Sequence, residues 1–217
     1  MDQFSVIDME TWARTKEYRL FTEQWTTICY TVTMKPDVTE TVKYLKEKGL
    51  KFVPAVLWLI TRELCKQENF LLAVRDGKLG KWNKIHPMYP VINSTGNMTF
   101  HTTEYTDRFS DFYQAYVVEG EKNQNATDIF ATRMPENGYV ISVVPYMNFE
   151  SVSFHLKNAK NYYPPVFDIG KYSDVCGRLL MPVSVTVNHA AVDLNHVNLF
   201  FEGLQNALND PEKWCFN

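Results

Sequence analysis

The stretch Pro182-Val-Ser-Val-Thr-Val-Asn-His189-Ala-Ala-Val-Asp193 constrains the fold more than any other part of the chain. Its first half alternates apolar and polar side chains, the period of a strand with two different faces. An apolar segment, residues 197–208, follows almost at once, so the strand must feed a helix. A histidine and an aspartate four residues apart fall where strand gives way to helix. Histidine is the side chain best suited to take or give a proton near neutral pH. Presented at a strand end, ahead of a helix that holds it rigidly, it makes an enzyme the leading expectation.

No repeat, low-complexity run or Pro/Gly/Ser linker divides the 217 residues, so one domain spanning 1–217 is expected. Residues 9–23 read as a helix in which Trp12, Tyr18 and Phe21 mix with Arg14, Lys16, Glu17 and Arg19. Residues 26–34 are rich in β-branched side chains and read as a strand. Pro36-Asp37 breaks it, and 38–48 is a helix closed by Gly49. Pro54 opens a second helix, apolar nearly all round through Leu64, which argues for burial between other elements. A hairpin is expected at Asp76-Gly77, with Val74 and Leu79 on its arms. Strands follow at 89–92 and 98–105, then an amphipathic helix over 108–122, with 120–128 as a loop or helix end. Residues 139–144, 151–155, 165–171 and 179–188 read as strands, and 194–208 as the last helix. Helices and strands intersperse without strict β-α-β alternation, so the expected class is α/β with a mixed sheet flanked by helices.

Composition narrows the function. With 45% hydrophobic and 14% aromatic residues the chain can bury a large core. A net charge of −3 gives no basic face, so no nucleic acid partner is expected. No signal peptide is visible, and the apolar run at 54–60 is too short to cross a bilayer before Arg62, Glu63 and Lys66. A soluble cytoplasmic chain with no membrane partner is expected. Cys29, Cys65, Cys176 and Cys215 are scattered, with no Cys-x-x-Cys pair. They read as reduced thiols, three of them packed, and neither a metal site nor a catalytic cysteine is expected.

By spacing alone, His189 and Asp193 also describe a surface i,i+4 contact on a helix. The surrounding residues add more. Arg178-Leu-Leu-Met-Pro-Val-Ser-Val-Thr-Val-Asn-His189-Ala-Ala-Val-Asp193 resembles the active-site signature of the chloramphenicol acetyltransferases. Thr11-Trp12-Ala13-Arg14 is similar to the family's Trp-x-Arg, and 141–149 to its Ile-Ser-x-x-Pro-Trp-x-Asn-Phe. Residues 165–172 resemble its strand ending in Lys-Tyr, and Lys51-Phe52-Val53-Pro54 is in register. The resemblance spans nearly the whole chain.

It implies the CoA-dependent acyltransferase fold and acetyl transfer from acetyl-CoA to a hydroxyl of chloramphenicol, inactivating the antibiotic without an acyl-enzyme. In that reading His189 is the general base and Ser142 donates to the oxyanion. Asp193 forms a buried ion pair with Arg14, and losing one partner would cost roughly 3–5 kcal/mol. Lys51 and Lys171 match positions near the CoA 3′-phosphate, with Tyr172 on the same strand. Phe21, Trp25 and Phe100 fall where the family lines its acceptor pocket. The family's trimeric assembly implies a homotrimer, each active site taking its histidine from one subunit and much of its acceptor pocket from the next.

The match has departures. The family's His-His-x-x-x-Asp-Gly is here Asn188-His189-Ala-Ala-Val-Asp193-Leu194. Leu194 removes glycine's access to positive backbone torsions, so a different turn after Asp193 is expected. Asp168 puts a charge where the family's pocket strand carries a hydroxyl, and Tyr146 stands for Trp. Three alternatives stay open: the same chemistry on another hydroxyl or amine acceptor, an acyltransferase core of a lipoyl-dehydrogenase complex, and a non-catalytic binding module.

Overall fold

A computed structural model describes residues 1–157 and 159–216. Its centre is a six-stranded sheet in the order β2-β11-β8-β7-β5-β6. These strands are β2 (Cys29–Met34), β5 (His86–Ile92), β6 (Met98–Thr102), β7 (Gly138–Val144), β8 (Val166–Gly170) and β11 (Val183–Asn188). The β5–β7 and β7–β8 pairs are parallel, whereas β2–β11, β11–β8 and β5–β6 are antiparallel. The sheet is therefore mixed, as its sequence pattern predicts.

Five helices accompany it: α1 (Thr15–Arg19), α2 (Thr39–Glu47), α3 (Phe52–Cys65), α4 (Phe109–Lys122) and α5 (Leu194–Asn209), with a short α6 (Glu212–Cys215) after them. α3 is buried from Pro54 through Leu64 apart from Arg62, so its apolar character all round reflects enclosure. Phe167 of β8 packs on Phe200 of α5 at 5.4 Å and on Tyr139 of β7 at 6.0 Å, and the Tyr139 hydroxyl bonds Thr61 of α3 at 2.7 Å. One sheet face thus carries the aromatic core. Strand alternation turns Thr33, Ser184, Asp168 and Ser142, cross-strand neighbours in one row, to the opposite face.

Gly49 takes φ +66° and its N–H bonds Lys46, closing α2 as the sequence predicts. β3 (Leu72–Arg75) and β4 (Lys78–Trp82) form the predicted hairpin, with Val74 opposite Leu79 and positive φ at both Asp76 and Gly77. That is the turn whose twist matches the strands it joins. β1 (Phe4–Val6) adds itself to β4, a pairing not foreseen.

Three expected elements need correction. The helix expected over 9–23 begins only at Thr15, because Asp8 gathers the N–H groups of Glu10 and Trp12 and the Thr11 hydroxyl into a turn. It then widens into a π turn over Leu20–Gln24, while the Thr22 hydroxyl bonds back to the Tyr18 carbonyl. The strand expected over 179–188 is two. β10 (Arg178–Leu180) pairs with β9 (Ser173–Val175) in a hairpin, and β11 starts after Pro182, which has no N–H for the ladder. Residues 151–155 form no strand; residues 154 and 155 lie instead beside Thr26, Thr27 and Cys29 at the edge of the sheet. No helix among the described residues is long and apolar enough to cross a membrane. All four cysteines are unpaired; Cys215 is buried, Cys29 and Cys65 half-buried and Cys176 exposed.

Candidate active site

β11 ends at Asn188, and the pairing with the edge strand continues one residue further: the His189 N–H bonds the Ile28 carbonyl at 2.8 Å. The chain then turns sharply. Asn188 builds the turn, accepting the Ala190 N–H on Oδ1 and the Ala191 and Val192 N–H groups on its carbonyl. Its side-chain amide donates to Ala159 and Tyr162, holding the covering loop. The departure from the family's first histidine therefore has a structural use, with every polar atom of the side chain engaged.

Arg14 fastens the turn from outside. Its guanidinium donates to the Asp193 carboxylate at 2.8 Å, the His189 carbonyl at 3.1 Å and the Ala190 carbonyl at 3.4 Å. Asp193 caps α5, accepting the N–H groups of Asn195 and His196. Burial alone would raise the Asp193 carboxyl, but the Arg14 and His196 bonds outweigh it and hold the carboxyl below its ordinary value. His196 Nδ1 lies 3.2 Å from the Asp193 N–H and 2.9 Å from its carboxylate. Burial lowers the His196 value, and the Asp193 carboxylate beside it only partly offsets that. Leu194 opens the helix and is not among the non-glycine residues with positive φ, so the turn does not need a glycine there.

The His189 ring stacks on Phe21 at 4.3 Å and meets the edge of Tyr30 at 5.2 Å. Phe21 in turn stacks on Trp25, which is 66% exposed. The π turn sets this geometry, since it carries Phe21 inward and Trp25 to the rim. His189 Nδ1 is enclosed and has no hydrogen-bond partner among the described residues. Nε2 is not among the enclosed side-chain atoms that lack a partner.

Ser142 and Asp168 sit elsewhere. They are directly paired across β7 and β8, and both line a cleft of about 640 Å³ walled by Tyr89, Met98, Tyr116 and Tyr146. Burial pushes the Asp168 carboxyl up to about 6. From Ser184, the partner of Asp168 on β11, to His189 is five residues, roughly 16 Å of strand, with two strand spacings of about 4.8 Å across to Ser142. Within one chain the histidine and the serine are therefore held apart.

Lys171 and Tyr172 follow β8 and line a smaller cleft with Phe52, whose ring meets Tyr172 at 5.3 Å. Lys51 is exposed at the start of α3, and its N–H bonds the Tyr113 hydroxyl. Phe100 lies on edge strand β6 against Phe130, lining neither the Ser142 cleft nor the His189 stack. Neither the contact of Tyr30 with the histidine nor the part Asn188 plays in the turn is legible in the sequence. Tyr30 reaches the histidine through cross-strand register, which leaves no spacing to read in the sequence.

A family model described as Chloramphenicol acetyltransferase matches residues 2–205. The chain belongs to the chloramphenicol acetyltransferase family. Similar relatives include chloramphenicol acetyltransferases of Clostridium perfringens, 31% identical over 98% of both chains, and of Campylobacter coli, 32% identical over 95% of this chain and 99% of that one. One from Staphylococcus aureus is 29% identical over 97% of this chain and 98% of its own. Among solved structures, a chloramphenicol acetyltransferase aligns with a TM-score of 0.83 at 20% identity, covering 95% of this chain and 100% of that one. The dihydrolipoamide acetyltransferase of Azotobacter vinelandii aligns at 0.67 and 16% identity, covering 86% and 84%. The fold is that of the CoA-dependent acyltransferases, and membership of this family makes the chain an acetyltransferase rather than a lipoyl-complex core.

Proposed function

We propose that this protein transfers the acetyl group of acetyl-CoA directly to a hydroxyl of chloramphenicol, with His189 as general base. The observation that carries this reading is the fixed turn at the end of β11. Arg14 holds the His189 carbonyl, Asn188 holds the residues after it, and Phe21 fixes the ring plane. Such restraint suits a base that must meet a hydroxyl at one angle. Nε2 takes the acceptor's proton as its oxygen attacks the thioester carbonyl, and the imidazolium returns that proton to the departing CoA thiolate.

Ser142 is the donor for the negative oxygen that develops. Its hydroxyl makes no hydrogen bond within the described residues, so it is available to a ligand. Acetyl-CoA supplies the activated acetyl group. The residues that would hold it are Lys51 and Lys171, exposed and without an ion-pair partner among the described residues, with the apolar cleft at Phe52 and Tyr172.

Because His189 and Ser142 lie far apart in one chain, the working site pairs the histidine of one copy with the Ser142 cleft of the next, in a homotrimer. Each half-site has an exposed aromatic at its rim, Trp25 at 66% and Tyr146 at 77%, as surfaces awaiting a partner would. The same reading takes the enzyme as cytoplasmic, one domain over 1–217, with acetyl-CoA as co-substrate and no metal in the reaction. Purified protein given acetyl-CoA and chloramphenicol is expected to release free thiol, and His189→Ala to abolish the release. Undiminished release by folded His189→Ala would overturn the role of the base, and no release by the wild type would overturn the acceptor.

A further inference from the structure

Asp168 is 7% exposed and lines the Ser142 cleft, and its side chain makes no hydrogen bond or ion pair within the described residues. Its row neighbours give it no charge to meet. Ser184 is engaged with Thr33, and Ser142 is a neutral hydroxyl. Among the described residues that wall the cleft there is no lysine, arginine or histidine, and the Tyr89 hydroxyl is taken up by Thr103. A carboxyl raised to about 6 by burial is still mostly ionised at neutral pH. The cleft thus presents a buried, uncompensated negative charge among apolar and aromatic walls. Such a charge is unfavourable until a cation meets it. Ser142, where negative charge develops during transfer, is its direct cross-strand neighbour, and a neutral acceptor would leave the two charges facing each other.

We propose that Asp168 makes the Ser142 cleft favour, over neutral acceptors such as chloramphenicol, hydroxyl acceptors that carry a positive charge, such as amino alcohols bearing a quaternary or protonated amine. The inference rests on the cleft being the acceptor side of the acetyl-transfer site. A bound cation offsets the carboxylate and screens it from the developing oxyanion. Apolar walls at Met98 and Tyr146 suit the carbon groups around an alkylated nitrogen, and aromatic faces attract cations.

The test uses acceptors matched in shape and different in charge. In the nitrophenylpropanediol core of chloramphenicol, the dichloroacetamide is replaced by trimethylammonium in one compound and by tert-butyl in the other. With acetyl-CoA, wild type is expected to favour the trimethylammonium compound over the tert-butyl one by about tenfold or more in kcat/KM. Asp168→Thr and Asp168→Asn, each verified as folded by its thermal melt, should bring the ratio close to one. An equal ratio in wild type and both variants overturns the proposal, and so does a wild-type ratio near one, the result if a neighbouring copy supplies the cation. Equilibrium dissociation constants for the same two compounds give the same comparison without turnover. Chloramphenicol is run alongside. Thiol release with it and an unchanged ratio defeats the charge selection alone; a charge-dependent ratio in binding without release from any acceptor defeats the acetyl-transfer reading alone.

Discussion

Asp168 and Asn188 show how single residues bend a shared design. Asn188 replaces an imidazole with an amide that engages all its atoms, whereas Asp168 replaces a hydroxyl with a carboxyl that engages none. The second change bears on stability. Burial raises the Asp168 carboxyl from 3.8 to about 6, so the folded protein binds that proton more tightly than the unfolded chain. The sign follows: the contribution is most favourable below about pH 4 and is lost as pH rises through 6. Asp168→Asn is therefore expected to be more stable than wild type at about pH 8, by up to about 3 kcal/mol, with the gain vanishing near pH 4. Urea unfolding at the two pH values checks this; a pH-independent difference would contradict it. At this scale the sequence pointed to both positions as departures, since each breaks a pattern the flanking residues keep. It did not show that Asn188 organises a turn, because its bonding partners at 159 and 162 lie in a distant loop.

Elements were legible where one physical signal dominated. β11 and α5 carry clean periods of two and 3.6, and the Asp76-Gly77 hairpin has the one dipeptide its turn favours. The helix over 9–23 was misread because its apolar spacing hides two local competitors, the Asp8 turn and the π turn after Arg19. Those irregularities position Arg14 under the His189 turn and Phe21 against its ring. A lysine at position 14 keeps the charge but lacks the fork that serves three acceptors at once. Arg14→Lys is expected to lower the unfolding free energy by about 2 kcal/mol, below the cost of breaking a fully buried pair because Asp193 is 35% exposed. It should also reduce kcat by roughly tenfold or more with little change in KM, because the histidine loses alignment rather than the acceptor its pocket. Steady-state kinetics beside a urea melt separate the effects. A stability loss with unaltered kcat would show that Arg14 serves the fold alone.

In the whole molecule, the sheet holds His189 and Ser142 at separate places in one chain. β11 carries His189 past the edge of its ladder, while β7 and β8 pair Ser142 with Asp168 inside a cleft. Motif matching in the sequence could nominate both residues but not their separation, which depends on strand order and register. The central claim is that a working site joins the His189 of one copy to the Ser142 of another, and subunit mixing tests it most directly. His189→Ala and Ser142→Ala proteins, each nearly inactive alone, are unfolded together in equal amounts, refolded, and assayed for thiol release from acetyl-CoA with chloramphenicol. Random trimers should regain about a quarter of wild-type activity, because one interface in four then pairs an intact histidine with an intact serine. Hybrids no more active than the two parents would contradict the account.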